Sequence, residues 1–320
     1  MVAKASGIRV GRLKESEAKE ADRIMRTAFG TFIGLPDPMT FLGDRDMLAS
    51  RIKCEHVKSL AARDGQRLIG SNLLTRWGSF GFFGPLTVLP EYWDKGVAQK
   101  LLDATMKEFD TWGVKRTGLF TFPHSTKHVG LYQKFGYWPQ YLTLLMNYEP
   151  ADAPASANGD GVVRLSELAK SERERAIKEC AGLTRELEKG LDLSGEIRSA
   201  ATHGTGEVLL TYTKGKLDGF AVCMHGPGSE GGEKTCYVKF AAARSGKNAG
   251  ARFDRLLEAC DAFAAARGVP VEAGVNTACE DAVRRMQKHG YRARVQGVAM
   301  TRPHDAGYHR ADAYVLNDWR

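Results

Sequence analysis

The sequence lacks the features that would direct a protein into a membrane, out of the cell or onto a metal ion. No run of about 18 apolar residues occurs, and the opening MVAKASGIRVGRL has no apolar signal-peptide core. The six cysteines form no C-x-x-C pair, and no H-x-x-H motif is present. We therefore expect a cytoplasmic protein with reduced, buried thiols, no membrane association and no metal.

Dense basic segments are also missing. Lys and Arg number 46 against 38 acidic residues, a net charge of +8, but no Lys/Arg block is interleaved with aromatic residues. A modest basic excess favours anionic ligands, and the missing basic block argues against a nucleic-acid partner.

The two halves of the chain resemble each other. Four matching segments follow in the same order with an offset of roughly 150 residues, which predicts a duplicated domain. The matching pairs are 8–25 with 162–177, RLIGSNLL (67–74) with KLDGFAVC (216–223), 99–114 with 254–269, and YQKFGY (132–137) with MQKHGY (286–291).

The domain limits follow from composition. Residues 150–161, PADAPASANGDG, are rich in Pro, Ala and Gly without an apolar period, as expected of a linker. We predict a catalytic domain at 1–149, a second domain at 162–302, and a tail at 303–320 that packs on a domain face because its Tyr, Val, Leu and Trp are costly to expose.

Hydrophobic periodicity in the first half predicts a mixed sheet with helices on both faces. Glycines interrupt the segment FGFFGPLTVL, which indicates a bulge or a close approach by another group. The predicted strands are 8–13, 57–63, 66–76, 80–89, 117–122 and 140–149, and the predicted helices are 14–29, 44–54, 98–112 and 128–135.

The stretch PEYWDKGVAQKLL places Gly96 and Ala98 where a helix begins after this interrupted strand. The first N–H groups of a helix lack intrahelical partners, and small residues let an anion approach the backbone. The sequence therefore allows two interpretations, a phosphate site or a plain helix cap.

The run TVLPEYWDKGVAQKLL, followed about 30 residues later by HSTKHVGLYQKFGY, resembles the GNAT superfamily of acyl-CoA-dependent N-acyltransferases. In that family a strand ends in V-x-P, a glycine turn holds the coenzyme pyrophosphate, and a later helix carries a tyrosine before K-x-G-F/Y. One departure is Trp93, where the family has Arg or Gln, and an acid, Asp94, follows it. The matching residues are Val88, Pro90, Gly96, Ala98, Tyr132, Lys134, Gly136 and Tyr137.

The resemblance implies an α/β (mixed α+β) fold of two tandem GNAT-like domains, each a twisted, mainly antiparallel sheet with helices on both faces. It implies N-acetyltransfer from acetyl-CoA, or another acyl-CoA, to a primary amine on a small molecule or peptide, with the pyrophosphate over residues 94–98. The coenzyme contacts it implies are Thr87, Val88, Trp93, Asp94, Lys95, Gly96, Val97, Ala98, Gln99 and Ser125.

The resemblance also places Tyr132 near the coenzyme sulfur. A phenol with a pKa of about 10 can protonate a departing thiolate, so Tyr132 is the candidate general acid. The interrupted strand contains no acid, so the general base stays open between His124, whose type titrates near neutrality, and Asp37.

The second copy departs from the pattern. Phe253 aligns with Ala98 and Met286 with Tyr132, which predicts a degenerate domain. These residues also argue against an arrangement like mycothiol synthase, in which the C-terminal copy is active. A non-catalytic acyl-CoA sensor is the main alternative, and an interaction protein that binds no coenzyme is a further one. The acceptor (aminoglycoside, amino acid, polyamine or protein amine) and the oligomeric state stay open.

Overall fold

The protein is described here from a computed structural model that covers residues 7–150 and 161–320. The predicted linker lies almost wholly outside these residues. In the first half the strands are β1 Ile8–Arg12, β2 Val57–Asp64, β3 Arg67–Trp77, β4 Phe80–Phe83, β5 Thr87–Val88, β6 Arg116–Thr121 and β7 Trp138–Tyr148. The helices are α1 Ala18–Phe32, α2 Leu48–Ile52, α3 Val97–Trp112 and α4 Thr126–Gln133.

The second half repeats this order with two changes: a single strand stands where the first half has β4 and β5, and one strand is added at the end. Its strands are β8 Val162–Arg164, β9 Gly206–Thr213, β10 Lys216–Gly226, β11 Gly232–Ala243, β12 Val271–Asn276, β13 Arg292–Arg302 and β14 Val315–Leu316. Its helices are α5 Lys170–Leu187, α6 Ser194–His203, α7 Ala249–Ala265 and α8 Glu280–Lys288.

The described strands form one continuous 14-stranded sheet, because each half lends a strand to the other. Strand β13 lies between β6 and β7 and is antiparallel to both, while β7 also pairs with β12. The order from one edge is β1-β2-β3-β4-β6-β13-β7-β12-β14-β11-β10-β9-β8, with β5 paired to β3. Most pairings are antiparallel, and the predicted fold class is confirmed.

The hydrophobic core also crosses from one half to the other. Phe80 and Phe82 on β4 belong to the same buried cluster as Leu183 of α5 and Phe240 of β11. The opposite face of β4 carries Phe83, which packs with α1, α3 and α4 in a cluster made largely of first-half residues. The first-half sheet is therefore covered on one side by its own helices and on the other by the second half.

The tail contributes structure to the sheet. Val315 and Leu316 pair with Ala242 and Ala241 of β11, and Leu316 also pairs with Val275 of β12. Strands β11 and β12 pair directly with each other only up to Val238 and Ala273 among the described residues. The tail strand β14 thus occupies the gap that opens between them.

The segment predicted as one strand over 80–89 is divided in two. Both β4 and β5 pair with β3, and residues 84–86 between them leave the sheet. Gly84, with φ of 146°, begins this interruption in a backbone conformation that side chains disfavour. Its position beside the gap between β4 and β6 places it at the cavity described next.

Candidate active site

A cavity of about 1340 Å³ opens where strands β4 and β6 separate. The two strands pair in parallel as far as Phe82 and Gly118, and the next residues of each strand line the cavity. Helices α1, α3 and α4 supply further walls. The cavity therefore reaches from the start of α3, through the gap in the sheet, to strands β7, β12 and β13.

The start of α3 can bind an anion. Gly96 precedes the helix with φ of 77°, in the left-handed region, and no side chain of the described residues caps this terminus. The first intrahelical bond runs from the N–H of Lys100 to the carbonyl of Gly96 at 3.2 Å. The N–H groups of Val97, Ala98 and Gln99 thus have no acceptor within the helix, and the helix dipole adds partial positive charge there.

Two side chains next to this turn are engaged with neighbours. Trp93 donates its indole N–H to the carbonyl of Val88 at 2.7 Å, which fixes the ring against the end of β5. The carboxylate of Asp94 pairs with the ammonium of Lys127 at 2.6 Å, and both groups are exposed. The acid beside the turn is therefore neutralised by a lysine from α4.

The interruption between β4 and β5 presents one backbone donor. The N–H of Gly84 donates to the carbonyl of Leu73 at 2.8 Å, and Pro85 has no N–H. The N–H of Leu86, which lines the cavity, donates to no carbonyl among the described residues. It is the donor in this segment that can polarise a ligand carbonyl.

Tyr132 lies on α4 and is 8% exposed. Its ring contacts Phe83, with the ring centroids 5.8 Å apart, and no described residue hydrogen-bonds its hydroxyl. Burial raises the pKa of Tyr132 to about 12. The hydroxyl is therefore a protonated donor at every physiological pH.

His128 lies one helical turn before Tyr132, so the two side chains share a face of α4. Its Nδ1 is 2.9 Å from the hydroxyl of Ser125, the N-cap residue, and its ring contacts Phe32. Burial, then Lys127 and His124, lower the pKa of His128 below its usual 6.5. It is a neutral imidazole that lines the cavity, a role the sequence interpretation did not give it.

Most of the predicted site residues meet at this cavity. His124 is exposed and packs beside Phe32 and Phe122. The carboxylate of Asp37 accepts a hydrogen bond from the N–H of Met39 at 2.9 Å. Neither residue lines the cavity, and Lys95 and Ser125 are outside its lining as well. The predicted residues that do line it are Thr87, Val88, Trp93, Asp94, Gly96, Val97, Ala98, Gln99 and Tyr132.

The corresponding region of the second half is filled by the chain's own atoms. Phe253 is fully buried and lies 5.5 Å from the ring of Tyr314, and Met286 is fully buried. A methyl group at Gly250, in the first turn of α7, would lie 2.5 Å from the guanidinium of Arg285, which therefore covers the start of that helix. These side chains and strand β14 thus fill the region of the second half that corresponds to the first-half cavity.

A helix N-terminus open to an anion, a gap between parallel strands and a buried, protonated tyrosine thus lie along one cavity. Residues 30–137 match the model of the Acetyltransferase (GNAT) family, so this part of the chain is a GNAT acetyltransferase domain. The match supports acyl transfer as the general activity.

Solved structures extend the likeness of fold to the whole chain. A proposed acetyltransferase from Pyrococcus horikoshii is 14% identical with a TM-score of 0.71, over 98% of this chain and 95% of the other. A GCN5-related N-acetyltransferase from Sphaerobacter thermophilus is 13% identical with a TM-score of 0.60, over 94% and 96%. A fungal glucosamine N-acetyltransferase region is 13% identical with a TM-score of 0.63, over 92% of this chain and 38% of the other.

Comparison with curated protein sequences gave no match. Within residues 7–150 and 161–320, no helix combines the length and apolarity needed to span a bilayer. The same residues contain no group of three or more His, Cys, Asp or Glu side chains arranged to hold a metal ion.

Proposed function

We propose that the protein transfers an acetyl or other acyl group from acyl-coenzyme A to a primary amine, in the cavity of its first half. The observation that supports this most is the continuity of that cavity. It joins the uncapped start of α3, the gap between β4 and β6, and the hydroxyl of Tyr132. A coenzyme lying along it has its pyrophosphate at the helix and its thioester in the gap.

The pyrophosphate is held mainly by the backbone in this proposal. The N–H groups of Val97, Ala98 and Gln99 donate to its oxygens, and Gly96 keeps a side chain away from them. The charge of Asp94 is already compensated by Lys127, so it repels the phosphates little. Trp93 stands where the family has Arg or Gln. Its ring shapes the turn and does not make a polar contact with the pyrophosphate.

The acyl transfer is a direct attack. The amine nitrogen bonds to the thioester carbonyl carbon while the C=O electron pair moves to oxygen, where the N–H of Leu86 stabilises the charge. The nitrogen gives a proton to the base. The electron pair on oxygen then re-forms the C=O bond as the C–S bond breaks, and the C–S pair leaves on sulfur. An amide and the thiol of coenzyme A are the products once the sulfur is protonated.

Tyr132 acts at the departing sulfur. With its pKa at about 12, complete proton transfer to a thiolate of ordinary thiol pKa near 8.5 would cost about 5 kcal/mol. A hydrogen bond from the hydroxyl to the developing thiolate avoids that cost and still stabilises the transition state. We therefore assign Tyr132 as hydrogen-bond donor to the sulfur during C–S cleavage, with the base or water supplying the final proton.

His128 is our choice for the base, in place of His124 or Asp37. It is neutral at pH 7 and lines the cavity, whereas the other two candidates lie outside its lining. When Nδ1–H donates to Ser125, the lone pair of Nε2 is free to take the ammonium proton. Helix α4 thus carries the proton acceptor, His128, and the hydrogen-bond donor to sulfur, Tyr132, one turn apart.

The second half has a structural role in this proposal. Buried Phe253, Arg285 over Gly250 and strand β14 take up the space that a coenzyme would need. The domain limits 1–149 and 162–302 remain a prediction, and the exchanged strands mean that any such domains are interlocked.

The test is an isothermal titration with acetyl-CoA, run for stoichiometry and affinity. We expect one molecule per chain, and loss of binding in Gly96→Glu because its carboxylate would occupy the phosphate position. Gly113→Glu at the far end of α3, also at a left-handed glycine, is the matched control and should bind normally. Equal binding by both variants would refute the phosphate site.

Turnover separates an enzyme from a sensor. With a panel of amines, Tyr132→Phe should retain acetyl-CoA binding and lose about 10- to 100-fold in kcat. Binding of acetyl-CoA with no acetylated amine in the panel would favour the acyl-CoA sensor instead.

A further inference from the structure

The end of the cavity farthest from α3 is rich in arginine. Its lining includes Arg45 from the segment before α2, Arg294 on β13 and Arg320 in the tail, with the carboxylate of Glu272 on β12 among them. If the coenzyme lies as proposed above, this is the end left for the acceptor. The inference below therefore rests on the proposed function.

The negative charge of Glu272 is already compensated by two arginines. Arg45 holds its two oxygens at 2.7 and 3.0 Å, and Arg320 holds one of them at 2.8 Å. Burial alone would raise the pKa of Glu272, but Arg320 and Arg45 outweigh it and lower the pKa to about 2. A cationic ligand therefore meets no uncompensated negative charge at Glu272.

Asp94 is the other carboxylate among the lining residues, and Lys127 occupies it at the opposite end. Polyamines and aminoglycosides carry several ammonium groups, and a site for them needs carboxylates that are not already paired. The cavity provides none among its described lining residues, so it does not suit a polycation.

Of these three arginines, Arg294 is the one that no described carboxylate compensates. It lies at a break in register between Ala293 and Val295 in the pairing of β13 with β7, and bulges of this kind re-aim side chains. The residue is exposed and lines the cavity, and no described residue hydrogen-bonds or ion-pairs with its guanidinium. Arg45 and Arg320, by contrast, are matched by Glu272 and by Asp318, which pairs with Arg320 at 2.9 Å.

The remaining wall of this region is apolar and aromatic. Phe29 and Phe41 stack with centroids 5.2 Å apart, and Phe32 and Ile33 continue the wall at the end of α1. Ile33 is 44% exposed, so apolar surface is open to a ligand there. An acceptor that fits must therefore combine an apolar body with one negative charge.

We infer that the acceptor is an amine that carries a carboxylate and an apolar body, the chemistry of an apolar amino acid. Arg294 binds the carboxylate, and the aromatic wall binds the side chain. A carboxylate fits better than a phosphate monoester, since one uncompensated guanidinium balances one negative charge. The inference selects amino acids among the acceptor classes that the sequence leaves open.

The experiment uses a matched pair of amines. L-phenylalanine and 2-phenylethylamine differ only by the carboxylate, and each is titrated into the protein saturated with coenzyme A. We expect L-phenylalanine to bind at least about 10-fold more tightly, the value of one charge-assisted contact. Arg294→Gln should remove that difference and leave 2-phenylethylamine unchanged, while Arg292→Gln on the same strand, outside the cavity lining, should change neither.

Acetyl transfer is then measured with the same pair, spermidine, an aminoglycoside and glucosamine. Equal binding of the pair, or a higher kcat/KM for any amine without a negative charge, would overturn the inference and leave the acyltransferase proposal standing. Failure of coenzyme A to bind at all would overturn the proposed function, and the acceptor inference with it.

Discussion

His128 and Tyr132 show how burial assigns different tasks to two side chains on one face of a helix. Burial disfavours the charged form of each, so it lowers the pKa of the imidazole and raises that of the phenol. At neutral pH the first is therefore a free base and the second a protonated donor. Acyl transfer to an amine needs one group of each kind.

The first prediction concerns the pH dependence conferred by His128. The base must be neutral, so kcat should fall as the pH drops through a pKa that lies below the usual histidine value of 6.5. His128→Gln should lower kcat about 100-fold and abolish this acidic limb. The measurement is kcat at saturating acetyl-CoA and amine from pH 5 to 9.

The control for this prediction is His124→Gln, which should keep the wild-type profile because His124 lies outside the cavity lining. A role of His128 in coenzyme binding alone would give a different result. It would raise the Kd for acetyl-CoA and leave the acidic limb in place.

At the scale of residues, the sequence predicted the glycine turn before α3 and the spaced tyrosine, but not the place of His128 in the cavity lining. Gly96 and Tyr132 are recognisable because a left-handed turn and a spaced tyrosine leave local signals. His128 has no such local signal in the sequence. Its proposed role as base depends on partial burial beside Phe32 and on its contact with Ser125, and only the folded chain provides these contacts. The arginines of the cavity come from three distant segments and share no motif.

At the scale of elements, the tail makes buried contacts with the first half through Trp319. The indole N–H of Trp319 donates to the hydroxyl of Tyr308 at 2.6 Å, and its ring lies 4.4 Å from His309 and 5.1 Å from Phe80. A methyl group at Gly118 on β6 would lie 2.8 Å from the same ring. The tail thus packs directly beneath the first-half cavity, which Trp319 also lines.

The second prediction follows from this packing. Trp319→Ala should lower the free energy of unfolding by about 3–5 kcal/mol, because a 2% exposed indole is removed from a filled site. Trp138→Ala on β7 is the matched control; Trp138 is 51% exposed, and its loss should cost less than about 0.5 kcal/mol. Urea denaturation at pH 7 measures both. Similar losses for the two variants would mean that the tail is peripheral.

Element by element, the sequence predicted α3 well and β14 not at all. Helix α3 ends where the pattern indicates, at Trp112, and begins at Val97 rather than Ala98 because left-handed glycines stand at both ends. Helix α2 is only Leu48–Ile52, shorter than the predicted 44–54. Strand β14 has two residues and forms through contacts with β11 and β12 that are distant in sequence, so it leaves no local periodicity.

The whole molecule is held together by strand exchange. Residues 1–150 alone would lack β13, which separates β6 from β7, and both strands would be left with unpaired edges. Repetition in the sequence reveals two copies of one pattern. It does not reveal which copy supplies a given strand, because β7 and β13 stand at the same position in the two patterns.

The third prediction is that the halves fold only together. Residues 1–150 or 161–320 expressed alone should be insoluble or lack a cooperative unfolding transition, since unpaired edges invite aggregation. Co-expressed, the two pieces should purify as a one-to-one complex with the circular dichroism of the intact chain. A soluble, cooperatively folded 1–150 piece would show that the exchanged strand is dispensable.

A buried ionic cluster joins the halves on the side of the sheet away from α3. Arg51 pairs with Glu230, Lys239 pairs with Glu230 and with Glu196 at 2.9 Å, and Glu196 accepts from His56 at 2.9 Å. Arg51 also donates to the carbonyl of Gly84 at 3.2 Å, which ties the cluster to the cavity segment. Burial would raise the pKa of Glu230, but Arg51 and Lys239 outweigh it and lower the pKa.

The fourth prediction is that Glu230→Gln lowers the free energy of unfolding at pH 7 by about 3–5 kcal/mol, because it leaves Arg51 and Lys239 buried with one carboxylate between them. The pKa of Glu230 is depressed on folding, so its contribution is complete above the unfolded pKa of about 4.3 and is lost as the pH falls further. The gap between wild type and variant should therefore narrow below pH 4.3. Glu280→Gln, which removes an exposed partner of Arg284, is the control and should cost at most about 1 kcal/mol at any pH. A gap that stays constant down to pH 3 would mean that the loss in Glu230→Gln comes from altered packing, not from the charge that holds the two halves in register.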